Sequence, residues 1–102
     1  MKIVNVRIGE KEYPFGYSLR SMFLFEQLAG HAFGIKTMQD EFLYFFCGFM
    51  IADSDFMGND FKAYIDALDE HPEAIGSIRE ALNKLTANEV TEEADNGSKK
   101  KD

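Results

Sequence analysis

From Lys2 to Ile8 apolar and polar residues alternate, with Val4, Val6 and Ile8 on one side and Ile3, Asn5 and Arg7 on the other. A period of two rich in β-branched residues predicts a half-buried strand. Gly9, Glu10 and Lys11 make a turn, and Glu12 to Phe15 forms a second strand that sets Tyr13 and Phe15 on one side. Pro14 suits an edge strand, where its missing N–H costs nothing. A lone hairpin is marginal in water, so helices must cover it.

The period then changes. Ser18 is a good N-cap for a helix over Leu19 to Ala29, and Gly30 supplies a left-handed stop. Thr37, with Asp40 three residues later, opens a second helix running from Met38 to about Ala52. Asp53 to Asn59 is a polar break. A third helix starts at Asp60, with Phe61, Tyr64, Ile65 and Leu68 on one stripe. Pro72 opens a fourth, whose stripe is Ile75, Ile78, Leu82 and Leu85. From about Ala87 the apolar pattern stops. The expectation is an α+β fold: one globular domain over residues 1–86, with an N-terminal β-hairpin packed beside about four α-helices. A disordered, charged C-terminal tail follows over 87–102.

The second helix is apolar on more than one side. Met38, Phe42, Phe45, Phe49 and Ala52 form one stripe, and Leu43, Phe46, Cys47 and Met50 form a second face a quarter to a third of a turn away. Such a helix is either sandwiched between the hairpin and its neighbours or left partly open as a groove or oligomer contact. The expected partner-binding residues are Leu43, Phe46, Cys47 and Met50, bordered by Glu26 of the first helix. Glu26 either reaches solvent at the edge of its stripe or pairs with Arg20 or Arg7.

Composition narrows the function. Hydrophobic residues make up 45% of the 102, with ten Phe and no Trp, too much apolar surface for a disordered chain. Eleven Lys and Arg stand against 18 Asp and Glu, and the net charge of −7 opposes nucleic-acid and anionic-lipid binding. The single cysteine, Cys47, forms no intrachain disulfide, and the N-terminus lacks the apolar core of a signal peptide. Phe42 to Ala52 is too short to span a bilayer, which takes about 20 residues. A cytoplasmic protein without a membrane partner is expected.

Little in the chain converges on chemistry. His31 and His71 sit in predicted loops and Cys47 in mid-helix, so no catalytic residue is assigned. Neither a cofactor nor a metal is called for. Asp53-Ser54-Asp55-Phe56-Met57-Gly58 begins like a calcium loop, but Met57 stands at the fifth ligand position and Tyr64 where a bidentate Glu is required. A capped interhelical loop is the better reading. No glycine-rich phosphate loop occurs.

The order of elements resembles the tail assembly chaperones of long-tailed bacteriophages. The hairpin Ile8-Gly9-Glu10-Lys11-Glu12-Tyr13-Pro14-Phe15 leads into a helix with Leu19 and Glu26 that ends at Gly30, then an apolar helix with an aromatic centre and two shorter amphipathic ones. The likeness covers roughly residues 1–85 through loose hydrophobic motifs. It implies a phage or prophage protein of the host bacterial cytoplasm that coats helical, aggregation-prone stretches of a tape measure protein and contacts tail tube subunits. Family members are often made in two lengths by frameshifting. Lys99, Lys100 and Lys101 could mark such a slippery site or simply a solvated tail. Two other readings stand beside it: a virion part such as a tail-completion or connector subunit, and an acidic inhibitory binding protein. The oligomeric state stays open.

Overall fold

A computed structural model of the chain describes the backbone of residues 1–94 and the side chains of residues 1–87. Strands β1 (Lys2–Ile8) and β2 (Lys11–Tyr17) form an antiparallel hairpin in which Val4 faces Phe15 and Asn5 faces Pro14. The turn is tighter than the sequence suggests, because Gly9 takes φ +68° and Lys11 already pairs with Ile8. Alternation holds: Val6, Ile8 and Phe15 are buried, while Ile3, Asn5 and Arg7 face out.

Helix α1 (Leu19–Ala29) begins as its cap residues dictate. Ser18 Oγ accepts the Arg20 N–H, and Ser21 Oγ accepts the Ser18 N–H. Gly30, at φ +79°, ends it by donating its N–H to the Glu26 carbonyl. Thr37 Oγ1 caps α2 (Met38–Ala52) through the Asp40 N–H, and Asp40 and Glu41 place negative charge at its N-terminus. Asp53 Oδ1 accepts the Asp55 N–H, so the acidic segment after α2 is a capped loop, and a short 3₁₀ turn follows at Phe56–Asn59. Asp60 caps α3 (Phe61–Glu70). Helix α4 runs over Glu73–Ala94. No helix among the described residues is long and apolar enough to cross a membrane.

The C-terminal boundary differs from expectation. The tail predicted over 87–102 begins as helix, since the backbone of α4 continues to Ala94. Ala and Glu favour helix by propensity alone, without the apolar stripe that the prediction relied on. The rest of that tail, 95–102, lies outside the described residues.

Helix α2 is the central strut, with Tyr44 to Phe49 buried continuously. On one side it meets the hairpin, the 3₁₀ turn, α3 and α4 in a cluster built on stacked aromatics, Phe49 and Phe56 lying 4.5 Å apart and nearly parallel. On the other it carries α1, through a smaller cluster of Phe25, Tyr44 and Cys47. Arg79 of α4 reaches Glu41 of α2 with two hydrogen bonds, of 3.1 and 2.9 Å, and so joins the two helices at the surface.

Candidate protein-binding surface

The second face of α2 is not a free surface. Phe46 is 3% exposed and Cys47 is fully buried. The Phe46 ring lies 5.4 Å from both Phe61 and Tyr64, and Phe56 packs beyond it. The reading of Phe46 and Cys47 as contact residues is therefore corrected: the hairpin, α3 and α1 cover α2 on enough sides to absorb both apolar faces. Burial pushes the Cys47 thiol up to about 12, which leaves it un-ionised and unreactive at neutral pH. Met50 is half-buried against the main cluster, and Leu43 is half-buried where the two clusters meet. Met38, assigned to the core stripe, is 70% exposed at the first turn of α2, beyond the reach of the elements that pack on the helix.

Besides Met38, and Met1 and Ile3 at the hairpin, the exposed large apolar side chains among the described residues lie on α1 (Leu19, Phe23, Leu28) and on the loop after it (Phe33, Ile35). Seven of the eleven α1 residues are apolar, yet only Ser21 and Phe25 are buried. A helix that packs on one neighbour buries one stripe, and α1 has more apolar residues than one stripe can hold. Leu19 and Phe23, one turn apart, remain 66% and 61% exposed, and Leu28 is exposed at the far end. The excess is visible in the sequence itself, as seven apolar residues in a helix of eleven.

Each end of α1 borders a groove. Met1, Tyr17, Leu19 and Met22 line one of about 360 Å³ at its start. Leu28, Ala29, Ala32 and Leu43 line the other, of about 590 Å³, whose wall carries His31, Lys36 and Asp40. Of the residues expected to bind a partner, Leu43 alone lines either groove.

Glu26 pairs with neither arginine. Its Oε2 accepts the Phe33 N–H at 2.8 Å, which folds the loop from Gly30 to Thr37 back on α1. Phe33 then lies edge-on to Phe25 and Tyr44, at 5.4 and 5.1 Å, with one face still in solvent. His31 fixes the loop to α2, its Nδ1 lying 2.8 Å from the Ala32 carbonyl oxygen and its Nε2 3.2 Å from Asp40 Oδ1. The other Asp40 oxygen accepts the Lys36 N–H at 3.1 Å. Asp40 thus shapes the wall of the larger groove by accepting from the Lys36 N–H and meeting the His31 ring, while Glu26 ties the same loop to α1 through the Phe33 N–H. Among the described residues no three metal-capable side chains cluster. Comparison with protein-family models, with curated proteins and with solved structures finds no match, so the reading of this surface rests on its geometry.

Proposed function

We propose that the chain is a non-catalytic binding module that covers apolar helical segments of a client protein in the bacterial cytoplasm. This is the role of the tail assembly chaperones it resembles, whose client is the tape measure protein. One observation carries the reading: Leu19 and Phe23 stand in solvent one turn apart on a single face of α1, beside the groove at its start, while Leu28 is exposed at the far end beside the other groove. Large apolar side chains gathered on one element mark a place where another molecule binds. The net charge of −7 supports the role, because it keeps apolar-faced copies apart. Many copies along one long client would add avidity to weak single contacts.

The test is co-expression with a tape measure protein, reading the soluble fraction of the client. The wild-type chain is expected to keep the client soluble, and Leu19→Ser with Phe23→Ser to lose that effect while keeping its own fold. If the double variant protects the client equally well, the α1 surface is not the site. If the wild type gives no protection, the chaperone reading falls.

A further inference from the structure

We infer that α1 and the loop behind it form a lid on α2, which lifts as one unit while the hairpin, α2, α3 and α4 stay packed. The motion goes beyond client binding and does not depend on it.

The core is divided along α2. Its main cluster joins α2 to the hairpin, the 3₁₀ turn, α3 and α4, and no side chain of α1 belongs to it. Helix α1 packs through the smaller cluster, whose buried members are Phe25 of α1 with Tyr44 and Cys47 of α2. Met22, Leu24 and Ala29 close around them, and Leu43 and Leu82 border both clusters. Ser21, the other buried residue of α1, donates its hydroxyl proton to the Ser18 carbonyl within its own cap and lies beside the Tyr44 hydroxyl. Parts of a fold open at free energies from near zero up to the global value, and an element with little buried apolar contact opens at the low end. Eleven residues are also too few for a helix to persist alone in water, so lifting and unwinding go together.

The loop over 30–37 travels with α1. Phe33 is fastened to that helix twice, by its N–H on Glu26 and by its ring on Phe25. The ties from loop to α2 are slighter. They are the Phe33 ring against Tyr44, and His31 and the Lys36 N–H on the two oxygens of Asp40. Polar ties at a surface change an equilibrium by roughly fivefold or less. Across α2, the stack of Phe49 on Phe56 and the packing of Phe46 on Phe61 and Tyr64 involve no part of the lid, so they outlast its departure.

Under the lid lies Cys47, the single cysteine of the chain, with no exposed surface. The burial that keeps its thiol protonated also shields it from reagents, and both effects end when α1 lifts. Cys47 is therefore a reporter placed by the fold at the boundary between lid and core.

The experiment treats the full chain with an excess of an aromatic disulfide reagent at about pH 8 and follows the released aromatic thiolate against urea. In the absence of urea, labelling of Cys47 is expected to run at least about tenfold faster than global unfolding allows. Its urea dependence should be well below the slope of the global transition, because lifting the lid exposes little surface. Phe25→Ala should speed labelling at least about tenfold while the near-UV circular dichroism of the main aromatic cluster is kept. Asp40→Asn should speed it about two- to fivefold. Labelling that tracks global unfolding in both rate and urea slope would overturn the lid. A Phe25→Ala chain that loses its near-UV signal altogether would do the same, since α1 would then be inseparable from the main core.

Discussion

The ring of Phe15 on β2 lies across the backbone of Gly48 on α2, so close that a β-carbon at Gly48 would stand 2.5 Å from Phe15 Cε1 and 3.0 Å from the Gly16 carbonyl oxygen. This approach seats the hairpin on the central helix, and a glycine in mid-helix is what permits it. Phe15 has nowhere to move, being 1% exposed and in ring contact with Phe49 at 4.8 Å. Gly48→Ala would gain up to about 1 kcal/mol in helix propensity. Overpacking a closed core costs typically about 1–3 kcal/mol, and here it also meets backbone. The expected outcome is a net loss of about 1 kcal/mol or more in chemical denaturation. Unchanged or higher stability would mean that hairpin and helix are not packed this closely.

Core and surface phenylalanines should separate cleanly under substitution. Phe46→Asp removes a ring packed among three others and buries a carboxylate without a partner. Truncating a core Phe alone costs about 3–5 kcal/mol, a large share of a small domain's stability. That variant is expected to be unfolded or molten by near-UV circular dichroism. Phe23→Ser on the exposed face of α1 should change stability by no more than about 0.5 kcal/mol. A folded Phe46→Asp protein would restore the open second face of α2.

Most elements were legible because local signals agreed with the tertiary solution. Ser18, Thr37 and Asp60 cap the helices that they announce, Gly30 ends α1, and the alternation from Lys2 to Ile8 survives intact. The candidate site was less legible, because periodicity shows which residues are apolar and not how many neighbours will arrive to cover them. Helix α2 gained partners on both sides, so Phe46 and Cys47 were absorbed, while α1 gained essentially one, so Leu19 and Phe23 were left over. Glu26 stays exposed at the edge of its stripe, one of its two expected placements, but its hydrogen-bond partner was not legible. Its partner is a backbone N–H seven residues away in a loop, and side-chain composition carries no trace of such a donor.

The loop that walls the larger groove should respond to pH through His31. Both ring nitrogens face oxygen acceptors, an arrangement that only the imidazolium satisfies. The Ala32 carbonyl, followed by the Asp40 carboxylate, raises His31 above its usual 6.5. The Lys36 N–H, followed by His31, lowers Asp40 below its usual 3.8 despite some desolvation. The His31 contribution is therefore complete below pH 6.5 and lost as pH rises through its raised midpoint, and the Asp40 contribution is lost only as pH falls below 3.8. The pin is tightest between those limits. A proton NMR titration should give His31 a midpoint above 6.5, moving down in Asp40→Asn but not all the way, since the Ala32 carbonyl remains. An identical midpoint in the variant would show that the two side chains do not meet.

Tyr64 offers the opposite kind of test, in which removing a polar group should help. Its ring is fully buried between Phe46, Phe49 and Phe56, and its hydroxyl has no hydrogen-bond partner among the described residues. Burial first, with Cys47 and Glu41 adding to it, raises its titration far beyond the usual range, so the group stays a neutral phenol. A buried hydroxyl without a partner forfeits its bonds to water, at a cost of about 1–3 kcal/mol, whereas phenylalanine has the same ring and nothing to desolvate. Tyr64→Phe is expected to raise the urea midpoint by an amount equivalent to about 1 kcal/mol, with the slope of the transition unchanged. A fall in the midpoint would mean that the hydroxyl is bonded after all. Because α3 meets α2 through this ring, the gain should leave client binding at α1 untouched.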